Sequence, residues 1–245
     1  MNIQSESVRY QAGGTSCQGY MAWDADAEGQ LPGIMIVHEW WGLNDYIRGR
    51  ADMLAREGYC ALAIDMYGEG KTADNPDQAG EAMNAVLGDM DTGTERLKAA
   101  HATLAGQSGV DASRIAAIGY CFGGAMVLHM ARIGMPLTAV ASFHGALGSF
   151  HKPSPREVNA DILVCHGGDD AMVSMEDVQG FREEMDAAEA TYEVVVYPGA
   201  GHGFSNPGAD EKGATYNIPV GYNADADAKS WSAMLSLFDR KMGAG

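Results

Sequence analysis

Cysteine is scarce in this chain. Four cysteines, Cys17, Cys60, Cys121 and Cys165, are spread over 245 residues with no C-x-x-C pair and no zinc-site spacing, so they read as free thiols rather than as a metal cluster or a disulfide framework. Positive charge is also in short supply. Sixteen Lys and Arg face 33 Asp and Glu, for a formal net charge of −17 and a pI near 4.6. Such a field repels phosphate backbones and anionic headgroups, so neither nucleic acid nor a membrane is an expected partner. No apolar run is long enough to span a bilayer. The residues from Met1 to Glu6 do not form a basic region leading into an apolar one; together with the free thiols this makes the cytoplasm the expected location. Internal repeats, low-complexity tracts and proline-rich linkers are missing too, so residues 1–245 are expected to form one domain.

What remains is ordinary globular material, 46% hydrophobic and 20% charged, enough for one sizeable core. Apolar, β-branched runs recur at 33–38, 61–65, 114–119, 139–143, 162–166 and 193–197, as strands of a parallel sheet covered on both faces require. Shorter, more polar segments at 8–10 and 19–23 suggest an antiparallel hairpin at one edge. Helical patterns occupy 46–57, 76–87, 94–104, 123–133, 175–188 and 224–241, and Trp231, Leu235, Phe238 and Met242 form a core-facing stripe in the last. Residues 203–222, rich in Gly, Pro and Asn, read as a long loop. The expected architecture is α/β, a mostly parallel central sheet with helices on both faces, whose sites lie at the carboxyl ends of strands.

The sharpest chemical signal is Gly119-Tyr120-Cys121-Phe122-Gly123-Gly124. It follows a strand pattern and opens a helix, the G-x-nucleophile-x-G arrangement in which flanking glycines allow a sharp turn to present the central side chain. A glycine-flanked cysteine alone is a weak signal. Its partners strengthen it: Asp170 in His166-Gly167-Gly168-Asp169-Asp170 follows the next-to-last core strand, and His202 in Gly201-His202-Gly203-Phe204 follows the last. Nucleophile, acid, histidine is the chain order of the α/β-hydrolase triad, in which the histidine activates the nucleophile and the acid orients the histidine. The segment His38-Glu39-Trp40-Trp41 leaves an early strand, where the Trp40 N–H is expected to join the Phe122 N–H in an oxyanion hole. Glu39 is either a solvated loop carboxylate or an acceptor that holds the thiol proton. His144 either lines the pocket or makes a structural hydrogen bond, and His38 and His166 are read as supports for strand-end turns. A metal site of His166, Asp169, Asp170 and His202 lacks a tight ligand spacing, so no metal is expected.

Taken together, His38–Asn44, Asp65-Met66-Tyr67, Gly119–Gly124, Gly167–Asp170 and Gly201–Phe204 make the chain resemble the dienelactone hydrolases (carboxymethylenebutenolidases) over nearly its whole length. The resemblance implies an α/β-hydrolase fold, no cofactor, and a Cys-His-Asp triad of Cys121, His202 and Asp170. It also implies that Glu39 restrains the resting thiol, and that an ester or lactone is cleaved through an acyl-enzyme. Tyr67, Tyr120, His144 and Phe204, within or beside the chemical motifs, are expected to contact substrate. A monomer or small homo-oligomer is expected. Two departures bear on substrate: where the catabolic enzymes carry two carboxylate-anchoring arginines, an ungapped match finds Glu69 and Asn206. The competing readings are hydrolysis of a thioester or small amide on the same triad, a noncatalytic binding protein, and a thiol sensor. The last wants a resolving cysteine that no C-x-x-C supplies.

Overall fold

The computed structural model describes residues 1–243. Its first two strands, β1 (Ile3–Ala12) and β2 (Thr15–Asp24), are longer than their patterns suggested. They pair antiparallel from Ile3↔Asp24 to Ala12↔Thr15 across Gly13 and Gly14, both at positive φ, as a two-residue hairpin turn demands. β3 (Leu31–Val37) and β4 (Cys60–Ile64) pair parallel, Gly33↔Cys60 to Val37↔Ile64, and β2 joins β4 antiparallel through Met21↔Leu62. Three helices complete this region: α1 (Asp45–Arg56), capped by Asn44; α2 (Pro76–Leu87), capped by Asn75 with a proline in its first turn; and α3 (Met90–Ala105), capped by Asp89. Each cap side chain accepts a main-chain N–H that would otherwise be orphaned. The Asp89 cap is why α3 begins four residues before its apolar pattern.

β5 (Val110–Tyr120) leads into α4 (Phe122–Arg132), all of whose residues are buried. β6 (Ala139–Phe143), β7 (Asp161–Gly167) and β8 (Tyr192–Tyr197) follow, with α5 (Met175–Ala187) between the last two. These strands pair parallel, β6 on β7 and β7 on β8. The eight strands form one mostly parallel mixed sheet in the order β1-β2-β4-β3-β5-β6-β7-β8, as expected of the α/β class.

Two compact units can be distinguished, residues 1–117 with Met242, and residues 118–241. The first has its core in Ile34, Met35, Ile36, Val37, Ile47, Leu54, Leu62 and Ile64, all without exposed surface. In the second, Met126, Val127, Leu128, Val140 and Cys165 do the same. Arg132, also fully buried there, donates to both carboxylate oxygens of Glu184 and to the carbonyls of Leu147 and Gly148, so its charge is neutralised and its donors are used.

Two expectations need correction. The stretch 203–222 is not a structureless loop: it contains α6 (Ala209–Tyr216), which ends at Asn217 in the left-handed conformation. Gly213 conceals this helix in the sequence because glycine is a poor helix former, yet a β-carbon there would lie 2.6 Å from the Val220 carbonyl oxygen. In α7 (Ala224–Met242) the buried positions are Ala226, Ser230, Met234, Leu237, Phe238 and Met242. Phe238 and Met242 are buried as the stripe required, but Trp231 and Leu235 are only half-buried, their inward places being taken by Ser230 and Met234.

Candidate active site

In the second unit, the strand-to-helix turn after β5 places Cys121 at φ 54° and ψ −114°. That left-handed conformation costs a non-glycine residue about 1–3 kcal/mol and persists only where the surroundings impose it. Here the Cys121 N–H donates to the Phe143 carbonyl at 3.0 Å, while the Cys121 carbonyl accepts from the Gly124 and Ala125 N–H groups at 3.0 and 3.3 Å. The glycines are needed for close approach. A β-carbon on Gly119 would run into the backbone of Gly123, and one on Gly124 would lie 2.6 Å from Ser142 Oγ and 2.7 Å from Gly145 Cα. Cys121 is half-buried, whereas the other three cysteines are buried. Burial pushes the thiols of Cys60 and Cys165 up to about 12 and raises Cys17 as well, so these three behave as inert apolar groups. Cys121 and Phe122 stand at the N-terminus of α4, where the helix dipole favours negative charge.

Asp170 leaves β7 with its carboxylate buried. Its Oδ2 lies 2.9 Å from Nδ1 of His202, and its Oδ1 accepts from the Met172 and Val173 N–H groups at 2.8 and 3.0 Å. Burial by itself would raise this carboxyl, but His202 and the two N–H groups outweigh it and hold Asp170 below the usual carboxylate range. Asp169 is exposed. Behind β8, the His202 carbonyl accepts from the Gly221 N–H at 3.0 Å, and His202 bridges to Val220. Burial would lower the imidazole, yet the neighbouring Cys121 and Asp170 overcome that and raise it to about 10. Nε2 of His202 is buried with no hydrogen-bond partner of ordinary geometry, so the influence of Cys121 is better read as proximity of charge than as a formed hydrogen bond.

His144, at φ 41°, presents Nε2 to Ser205 Oγ at 2.7 Å. Its ring meets those of His202 and Phe204 edge-on, at 5.3 and 5.1 Å between centroids. Tyr120 stacks on Phe143 at 4.9 Å. Tyr120, His144 and Phe204 have no exposed surface, and of the three it is His144 whose ring meets that of His202. Asn206 is likewise buried, and its Oδ1 accepts from the Gly208 N–H at 2.9 Å.

Glu39, Trp40 and Tyr67 belong to the first unit. Glu39 is buried at 4% exposure, which sets aside the solvated-loop reading. It opens a turn closed by the Gly42 N–H on the Glu39 carbonyl at 3.2 Å. The Tyr67 hydroxyl donates to the Trp40 carbonyl at 2.7 Å. The loop carrying Tyr67 is held by Asp65, whose carboxylate accepts from the N–H groups of Gln18, Tyr67, Gly68 and Gly70 at 2.8–3.0 Å. Glu69 is exposed and pairs with Lys71 at 2.9 Å. Beside Tyr67 lies a cavity of about 460 Å³ whose charged lining is Lys71, Arg96, Glu81 and Asp89. Sequence reasoning gave no role to Arg96 or Ser205, and named Asp65 only as part of the motif Asp65-Met66-Tyr67. Only Asp65, three residues before the first glycine of a strand-end turn, carried a local signal. Among the described residues, no group of three or more His, Cys, Asp or Glu is placed to hold a metal ion, and no helix is long and apolar enough to cross a membrane.

The sheet, the strand-to-helix turn at Cys121 and the Asp170–His202 pair are the arrangement of an α/β-hydrolase. Residues 17–242 match the model of the dienelactone hydrolase family, and the chain belongs to that family. A Salmonella typhimurium protein named "Putative carboxymethylenebutenolidase" is 31% identical over 92% of this chain and 83% of its own. The solved structure named m3DLH is 35% identical, with a TM-score of 0.91 over 98% of this chain and 99% of its own. A dienelactone hydrolase-like promiscuous phosphotriesterase, P91, from metagenomic libraries is also 35% identical, with a TM-score of 0.89 over the same shares. The protein is an ester or lactone hydrolase that acts on small molecules.

Proposed function

We propose that the protein cleaves a carboxylic ester or lactone through an acyl-enzyme on Cys121. The observation that carries this reading is the Asp170–His202 contact at 2.9 Å in the unit that presents Cys121 from a left-handed turn. The thiolate attacks the carbonyl carbon, and the oxyanion is stabilised by the N–H groups of Phe122 and Trp40. Nε2–H of His202 then protonates the departing alkoxide as the C–O bond breaks. Water, deprotonated by His202, finally hydrolyses the thioester and returns the proton. A short quench with p-nitrophenyl acetate followed by peptide mapping is expected to find the acetyl group on Cys121; a burst with the label on another residue would overturn the assignment.

Glu39 is proposed to hold the thiol proton in the resting enzyme, His202 taking over when substrate binds. The support is its burial together with the family resemblance. Glu39→Gln is then expected to speed alkylation of resting Cys121 by iodoacetamide, because a carboxylate near sulfur disfavours a second negative charge. An unchanged rate would remove that role.

The substrate class follows from the two departures. Glu69 is engaged by Lys71 and Asn206 by Gly208, and the cavity beside Tyr67 sets two cations against two acids. None of these makes a net anion site. Two charge-assisted anchors of about 1.5–3 kcal/mol each are therefore missing for a substrate carboxylate. We expect kcat/KM for a neutral lactone or acetate ester to exceed that for dienelactone at fixed ionic strength; a tenfold preference for dienelactone would refute this. Because the P91 relative is named a phosphotriesterase, a p-nitrophenyl phosphotriester belongs in the same panel.

We also take residues 1–245 as one domain, since β5 runs unbroken from the first compact unit into the second. One calorimetric unfolding transition is expected, and two would count against it.

A further inference from the structure

The first unit contains a buried histidine that the mechanism above does not use. His38 has no exposed surface and sits between two main-chain groups: the Met66 N–H, 3.2 Å from its Nε2, and the Glu39 carbonyl, 2.5 Å from its Nδ1. An amide N–H can only donate, so Nε2 must accept and carries no proton. Nδ1 therefore bears the ring's one hydrogen and donates it to the Glu39 carbonyl. Burial, which lowers the basicity of His38, keeps the ring neutral; a second ring proton would point at the Met66 N–H.

The Glu39 carbonyl is one half of a peptide group whose other half is the Trp40 N–H. In a trans peptide these point in opposite directions within one plane, so what holds the carbonyl aims the N–H. We infer that His38 is a positioning residue for the oxyanion hole: by clamping the Glu39 carbonyl through Nδ1–H, it orients and polarises the Trp40 N–H that receives the developing negative charge.

Other contacts on the same turn agree with this role. The Glu39 carbonyl also accepts from the Gly42 N–H at 3.2 Å, the Tyr67 hydroxyl holds the next carbonyl, that of Trp40, and the Tyr67 ring lies edge-on to His38 at 4.7 Å. Two consecutive peptide planes are thus pinned. A second hydrogen bond on the Glu39 carbonyl increases the donor strength of the attached N–H, because bonds in a chain polarise one another. The turn bond from Gly42 survives loss of His38, so the loss should be smaller than for deleting an oxyanion donor, about 10²–10³-fold in kcat.

The inference rests on the Trp40 N–H acting as proposed above, and the experiment separates the two. His38→Leu is expected to slow the acylation burst with p-nitrophenyl acetate by about 10- to 100-fold, with KM changed less than about threefold. His38→Gln carries an N–H and a carbonyl at similar spacing and is expected to recover most of the loss. The rate at which iodoacetamide alkylates Cys121 should stay within about twofold of wild type in both, because that displacement forms no oxyanion. A folded His38→Leu protein with wild-type acylation would overturn the inference, and so would alkylation falling in step with acylation. If His38→Leu does not fold, ¹⁵N NMR of the wild-type ring decides: a neutral ring protonated on Nδ1 from pH 6 to 9 is expected, and a proton on Nε2 or a charged ring would refute it. Continued turnover by Cys121→Ala would instead defeat the mechanism on which the inference rests.

Discussion

Cys121→Ala is expected to abolish ester hydrolysis, by roughly 10⁴- to 10⁶-fold in kcat as for loss of a nucleophile in other triads, while leaving the fold intact. The two halves of this expectation have separate causes. Activity goes because no other thiol can substitute: Cys60 and Cys165 are buried with their thiols pushed up to about 12, and Cys17 is buried with its thiol also raised. The fold stays because Cys121 enters the packing through its main chain, bonded to Phe143, Gly124 and Ala125, and alanine keeps all of those groups. Alanine is also no worse than cysteine at φ 54°. Cys121→Ser should be far slower than wild type, since an alkoxide is harder to generate than a thiolate beside the same imidazole. Steady-state kinetics with p-nitrophenyl acetate and a thermal melt check both halves. A folded Cys121→Ala protein that keeps most of its activity would show that the nucleophile lies elsewhere.

Asp170→Asn is expected to lower kcat by about 10³- to 10⁴-fold, the size of effect seen when the orienting acid of a serine triad is neutralised. Asparagine can present an N–H to Nδ1 and so stabilise the wrong tautomer. Asp169→Asn should cost little, because the Asp169 side chain is exposed. A pH signature accompanies the loss. His202 is raised to about 10 by Cys121 and Asp170, and a raised base keeps its proton at neutral pH and loses it as pH climbs through that value. Since acylation needs the Nε2 proton of His202 for the leaving alkoxide, kcat/KM for an alkyl ester should fall on the alkaline side in the wild type. In Asp170→Asn the residual rate should fall at lower pH, one of the two raising charges having gone. The kcat/KM profile reports groups in the free enzyme, and so isolates acylation from the later step in which neutral His202 deprotonates water. An alkaline limb that stays in place in Asp170→Asn, or a larger loss in Asp169→Asn, would reverse the assignment.

Much of this molecule could be read before its structure. Strand and helix periods located the parallel strands and the helices around them, because burial on both faces forces nearly continuous apolar runs. Glycine spacing marked the turn at Cys121, since no other residue tolerates the approach that Gly119 and Gly124 make to neighbouring backbone. What escaped was governed by local chemistry weaker than its tertiary context. Gly213 hid α6, and bulk placed Trp231 and Leu235 in the α7 stripe at turns where Ser230 and Met234 are the buried residues.

The sequence by itself determined the fold class, the chain order Cys121, Asp170, His202, and the acidic balance of the surface, because each depends only on residue type and spacing. Tertiary structure alone decided which oxygen of Asp170 meets Nδ1 of His202. It also decided that Asn206 turns to the Gly208 N–H, and that Met66, 28 residues along the chain, determines which nitrogen of His38 carries the proton. The reason is directional. A hydrogen bond requires a donor and an acceptor aimed at each other within about 3 Å, and that aim is set by strand register and turn geometry bringing distant segments together, which residue order does not record.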